Sequence, residues 1–173
     1  MKQPAILLSL RPRFAKAILA ETKTVEVRRR PIRAPAGTLL VLYASSPTMA
    51  ILGTAELATV DVLDPDVAWK EHEHHLGLSR EEFDTYLYGL NIAHLIHVRE
   101  PRTLRDPLPL SHLRADANGF SPPQSFRYIT AQDPPMVWTA ISAATRKPHT
   151  EPPSPDDGAD DPQWTYSAPS PPA

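Results

Sequence analysis

The 173-residue chain contains no cysteine, which excludes disulfides, thiolate metal sites and a cysteine nucleophile. It has no apolar run near the roughly 20 residues that a helical membrane span requires. Its amino terminus, MKQPAILLSLRPRF, holds only a brief apolar stretch interrupted by Arg11, without the h-region and cleavage site of a secretory signal. No internal repeat is visible. A soluble cytoplasmic protein is expected, with no membrane partner.

With 41% apolar and 22% charged residues, a chain of this length suits one globular core. The formal net charge of −2 hides an asymmetry: residues 1–33 carry nine Lys and Arg against two acids, whereas residues 133–173 carry two against six. Screening confines each charge to about 8 Å at physiological salt, so a basic amino-terminal surface can still gather a polyanion. Ten prolines fall from Pro134 onward, in segments such as TEPPSPDDGADDPQ that lack apolar periodicity. The division expected is a domain over 1–132 and a disordered, Pro-rich acidic tail over 133–173. Within that tail only MVWTAISAA, residues 136–144, has the character of a short helix, and removing 134–173 is expected to leave stability nearly unchanged.

AILLSL (5–10) reads as a buried strand, and Pro12 then suits the first turn of a helix whose Phe14, Ala15, Ile18 and Leu19 face inward. In KTVEVRR the alternation puts Val25 and Val27 on one face of a half-buried strand, with Thr24, Glu26, Arg28 and Arg30 on the other. GTLLVLYASS, AILGTAELATVDVL and LNIAHLIHVREPRTL are further strand-like runs, the last with Ile92, Leu95 and Val98 among its apolar residues. Asp64 and Pro65 open a helix that Gly77 closes. Ser79 and Glu82 form a capping box for the next, with Leu78 and Phe83 at the staple positions and Gly89 beyond its end. The order β, α, β, β, β, α, α, β predicts an α+β fold built on a small, mostly antiparallel barrel.

The run His72-Glu73-His74-His75 invites comparison with H-E-x-x-H, in which histidines one turn apart share a metal. Here Leu76 stands where the second ligand belongs. No metal is expected, and these histidines are read as a solvated helix end favoured by the negative end of the dipole.

LLSLRPRFAKAILAETKTVEVRRR resembles the opening of the ASCH domain, a member of the PUA-like superfamily, whose signature reads approximately G-x-K-x-x-E-x-R. Lys23, Glu26 and Arg28 occupy its matching positions. The likeness extends through LLVLYASSP, the AW helix, GLSREEFDTYLYG and SPPQSFRYI, over about residues 5–130. It implies a PUA-like, mostly antiparallel β-barrel of five to six strands with two to three flanking helices, a cleft beside the first helix, and binding of RNA or another nucleic acid. One position departs: Glu21 replaces the signature glycine where a left-handed residue is usual. Either the turn differs or Glu21 carries strain of about 1 kcal/mol.

On the polar strand face Glu26 can accept from a base edge while Lys23 and Arg28 or Arg30 meet phosphates; rim ion pairs are the alternative reading. Arg29, sharing the valines' face, is expected beyond the barrel's end. Further cleft candidates are Ser9, Arg11, Ser45, Ser46, Gln124, Ser125 and Arg127, although serines and glutamine also suit ordinary turns. The reading favoured is a monomeric binding module for RNA or a modified nucleotide, with no cofactor and no catalytic residue. The alternatives are an amidohydrolase acting on acetylated cytidine, or a ribonuclease. Resemblance to the amidohydrolases would give Lys23 the catalytic role beside Glu26, which stands where a threonine is usual, with Glu73 or Glu71 as third partner. A ribonuclease lacks an assignable histidine pair.

Overall fold

The structure, a computed structural model, describes residues 4–117 and 119–145. Along the chain run β1 (Ala5–Leu10), α1 (Pro12–Leu19), β2 (Val25–Arg28), β3 (Leu39–Ala44), β4 (Ala50–Leu63), α2 (Pro65–Leu76), α3 (Arg80–Leu87), β5 (Ala93–Pro109), α4 (Leu110–Asp116), β6 (Phe126–Tyr128) and α5 (Pro135–Thr145). Six strands form one curled sheet in the order β2-β5-β4-β3-β1-β6. Every pairing is antiparallel except β1 with β3. This is the mostly antiparallel, PUA-like architecture expected.

Strand alternation divides the core between the two faces. Ile6, Leu8, Leu40 and Leu42 pack with Ala15 and Ile18 of α1. Leu7, Val41, Tyr43 and Ile51 instead meet Leu110 and Leu113 of α4 and Val137 and Ala140 of α5. A third cluster joins Val25, Val27 and Leu95 to Leu76 of α2 and to Phe83 and Leu87 of α3.

The helix punctuation follows the sequence. The Asp64 side chain accepts from the N–H groups of Asp66 and Val67. Ser79 and Glu82 exchange hydrogen bonds of 3.2 and 3.0 Å, and Leu78 packs in the cluster that buries Phe83. Gly77 ends α2 at φ 61, a left-handed conformation that costs glycine little. Glu21 also adopts it, at φ 59, so the turn geometry is kept and the strain is accepted.

Four expectations are corrected. The helices number five among the described residues rather than two or three: α4 is too short to show periodicity, and α5 is the MVWTAISAA helix, expected in the tail rather than in the domain. The stretch beginning at 133 is packed structure, because Asp133 is buried, Val137 is 1% exposed, and Trp138 and Ile141 pack on the same cluster. The expected tail beyond 145 lies outside the described residues. Both faces of β2 are buried, Glu26 and Arg28 included, since α1, α2 and the far sheet edge surround it. The strand-like run LNIAHLIHVREPRTL enters β5 only at Ala93, which leaves Ile92 outside the strand and 49% exposed.

Candidate nucleic-acid interface

Lys23 follows the tight turn out of α1, where its N–H donates to Ala17 O at 3.1 Å and the N–H of Thr24 donates to His75 O at 3.1 Å. Those bonds direct the Lys23 side chain inward, to 1% exposure. A β-carbon added at Gly77 would stand 3.5 Å from the Lys23 stem, so the lysine passes close beside the α2 cap. The ammonium donates to Val25 O at 2.8 Å and to Leu76 O, and pairs with Glu26 Oε2 at 3.1 Å. Three acceptors match the three N–H groups of a charged lysine. Burial pulls the Lys23 pKa down, Glu26 pulls it up and Arg28 pulls it down again. Burial dominates, and the pKa lies below the ordinary 10.5.

The second oxygen of Glu26, Oε1, lies 3.0 Å from Arg28 Nη2. Arg28 Nη2 also donates to Ser9 O at 2.9 Å, and its Nη1 donates to the Ser125 hydroxyl at 3.1 Å. Lys23, Glu26 and Arg28 are thus a buried triad with one positive charge in excess. Two buried polar atoms beside it, Arg28 Nε and Ser9 Oγ, have no hydrogen-bond partner among the described residues. Buried polar groups are seldom left so.

Above the triad opens a cleft of about 600 Å³ between α1 and α3, within the range of small-ligand pockets. Its rim carries Arg11, Arg13 and Arg29; Arg13 pairs with Glu82 of α3, and Arg29 Nη1 donates to Tyr86 O at 3.0 Å. Phe14 and Tyr86 supply aromatic faces. The Phe14 ring centroid lies 4.4 Å from the Arg13 guanidinium and 5.0 Å from Lys23 Nζ.

The cleft gathers Ser9, Arg11, Lys23, Glu26, Arg28, Ser45 and Gln124, with Ser125 behind it through Arg28. It leaves out Arg30, Ser46 and Arg127. β2 ends at Arg28, so alternation stops there: Arg30 turns out to solvent and Arg29, expected elsewhere, lines the cleft. Ser46 is exposed in the turn with Pro47. Arg127 pairs in register with Leu7, on the face that α5 covers, and binds Asp133. Glu71 and Glu73 lie on α2 and do not line the cleft; Glu73 pairs with His74. Sequence reasoning missed the α3 wall, Glu81, Thr85 and Tyr86, and assigned Phe14 wholly to the core. The capping box located α3 but carried no sign of which surface that helix would cover.

The family model of the ASCH domain matches residues 8–102. The chain belongs to the ASCH domain family. Among its relatives is the "ASCH domain-containing ribonuclease" of Zymomonas mobilis, 30% identical over 127 residues that span 73% of this chain and 85% of the relative. The crystal structure of ASCH from Zymomonas mobilis superimposes with a TM-score of 0.73 at 28% identity, covering 78% of this chain and 94% of that one. A large ribosomal subunit protein uL22 from Ureaplasma parvum is 25% identical over 126 residues, 72% of this chain but 39% of that protein. Lys23, Glu26 and Arg28 all fall inside the ASCH match, whereas Gln124 and Ser125 lie beyond its end. The ASCH cleft is therefore completed by a segment outside the matched region.

Proposed function

We propose that this ASCH domain binds single-stranded RNA and holds one nucleotide in the cleft beside α1. The observation that carries the reading is the cleft floor: a buried triad with one positive charge in excess, next to the unpartnered Arg28 Nε and Ser9 Oγ. A phosphate or a base edge would satisfy both atoms after a small side-chain shift. Glu26 keeps lone pairs for a base amino group, although each of its oxygens already faces a cation. Lys23 has no N–H to spare, so its part is to hold the floor rather than to touch the ligand. Phe14 and Tyr86 offer faces for base stacking, the usual means of gripping an unpaired nucleotide.

Fluorescence anisotropy with a short single-stranded RNA across a salt series tests this. Affinity falls linearly in log–log form, by about 0.7 in slope per phosphate neutralised. Arg11→Ala and Arg29→Ala, both exposed rim residues, each lower that slope by about one such step. Absence of binding to every RNA and DNA at low salt would overturn the reading.

A second reading, RNA cleavage, is favoured by the 30% identity to the Zymomonas protein named as a ribonuclease. Among the described residues no histidine lines the cleft; the titratable side chains there, apart from the arginines, are Lys23, Glu26, Glu81, Glu82 and Tyr86. Incubating an end-labelled RNA with the protein separates the two readings, and a single 2′-deoxy substitution at the cut site reports whether the 2′-hydroxyl is the attacking group. Deacetylation of acetylated cytidine has weaker support, because Glu71 and Glu73 stand outside the cleft and supply no third partner.

A further inference from the structure

We propose that Asp61, His72 and His97 form a binding site for a divalent first-row transition-metal ion, with zinc as the first probe. Asp61 on β4 is opposite Leu95 of β5, and His97 is opposite Thr59. The two side chains are therefore diagonal neighbours on one face of the ribbon, and His97 Nε2 lies 2.8 Å from Asp61 Oδ2. From α2, His72 sets its ring edge-on to that of His97, with centroids 5.1 Å apart. One ring nitrogen from each histidine and one carboxylate oxygen all lie within 4.8 Å of one another.

Two imidazoles and a carboxylate are a donor set that suits zinc and its neighbours. Donor atoms on a tetrahedral ion with bonds near 2.0–2.1 Å stand about 3.3 Å apart. Asp61 and His97 need to separate by about half an ångström, and His72 to close by more, which rotamer adjustment on two strands and a helix allows. All three side chains are partly buried, so solvent can fill the remaining coordination position. Glu71 Oε2, 3.9 Å from His72 Nε2, is the other carboxylate at its edge.

A plain ion pair accounts for Asp61 and His97 but leaves His72 over the pair unexplained. The histidine run of α2 fails as H-E-x-x-H, yet one of its members meets partners supplied by the sheet. An ion here would also reach the cleft. His72 lies one turn before Leu76, whose carbonyl accepts from Lys23, and the His75 carbonyl accepts from the N–H of Thr24. Tying His72 to β4 and β5 fixes the end of α2 on which the Lys23 side chain rests.

The test uses the full chain after chelation, titrated with Zn²⁺ by calorimetry and with Co²⁺ by visible absorption. The expected result is saturation at one equivalent, a d–d band of low-coordinate cobalt, and a rise in melting temperature with zinc. His72→Ala, Asp61→Asn and His97→Gln each weaken uptake by about tenfold or more, and His97→Gln preserves the shape of the pair should the alanine variant fail to fold. His74→Ala, at an exposed neighbour on the same helix, leaves uptake unchanged. Lack of saturable uptake overturns the proposal. So does uptake that survives His97→Gln but is lost in a His74→Ala/His75→Ala variant, which would put the ion on the exposed histidines.

Discussion

Arg28 Nη1 stands 3.1 Å from the hydroxyl of Ser125, and this contact joins the two ends of the sheet. β2, which carries Arg28, is first in the strand order, and β6, which begins just after Ser125, is last. The same guanidinium reaches Ser9 O on β1 and Glu26. A lysine ammonium lacks the planar fork to meet these partners together. Arg28→Lys should therefore cost about 1–3 kcal/mol in urea unfolding, and Arg28→Ala, which leaves Glu26 with a single cation, about 3–5 kcal/mol. Ser125→Ala, losing one hydrogen bond, should cost about 1 kcal/mol. A loss for Arg28→Ala no larger than that for Ser125→Ala would show that Arg28 does not close the sheet.

The triad behaves as a unit. Glu26→Gln leaves two buried cations facing a neutral amide and should destabilise by about 3–5 kcal/mol. Lys23→Met removes one cation and frees the carbonyls of Val25 and Leu76, for about 1–3 kcal/mol. Because the residues touch, the double variant should lose less than the two single losses combined, with a coupling of about 0.5–3 kcal/mol. Additive losses would mean that the ion pair contributes nothing of its own.

What was legible in the sequence followed local chemistry. The alternation in KTVEVRR put Glu26 and Arg28 on one face, the resemblance to the ASCH signature added Lys23 to them, and the caps at Asp64, Gly77, Ser79 and Glu82 placed two helices. What stayed hidden depends on chain segments far apart. Leu76 O comes to Lys23 from 53 residues away, and Ser125 comes to Arg28 from 97. The position of α3 over α1, which makes a cleft of Tyr86 and Phe14, has no local signal. At the carboxy-terminal end MVWTAISAA was legible as a short helix, but composition assigned it to the tail and gave no sign that its Val137 and Ala140 enter the core.

Glu21 tests backbone strain separately from contacts. Its φ of 59° is in the left-handed region, which glycine enters freely and other residues at a cost. Glu21→Gly should raise stability by about 1 kcal/mol, somewhat less if the unfolded chain gains entropy. RNA affinity should be unchanged, because Glu21 does not line the cleft. A destabilised variant would show that the Glu21 side chain stabilises the turn by more than its strain costs.

The packing of α5 makes truncation informative. Ending the chain before Pro134 removes Val137 and Ala140 and uncovers Leu113 and Tyr43, so the melting temperature should fall by well over the few degrees expected for loss of an unstructured tail. Val137→Ala in the full chain should cost about 2 kcal/mol, combining lost burial with a small cavity. An unchanged melting temperature on truncation would mean that α5 is not docked in solution.

Asp133 gives this end of the domain a pH dependence whose sign can be worked out. Its carboxylate accepts from Arg127 Nη1 at 2.8 Å and from the N–H of Thr130 at 2.7 Å. Burial alone pushes its pKa up and is the largest single influence, but the hydrogen bonds from Arg127 and Thr130, with the charge of Arg127, together outweigh it and hold the pKa below the ordinary 3.8. A depressed folded-state pKa means that the unfolded chain binds the proton first as pH falls. The stabilisation is therefore complete above 3.8 and disappears as pH drops through the lower folded value. Asp133→Asn should cost about 1–3 kcal/mol near neutral pH, the loss of a charged hydrogen-bonded pair. The gap from the unaltered protein should narrow steadily below about pH 4 as the native carboxylate also loses its charge. Urea titrations of both proteins from neutral to acid pH measure that gap. A gap that stayed constant would mean that the shape of Asp133, rather than its charge, anchors the chain entering α5.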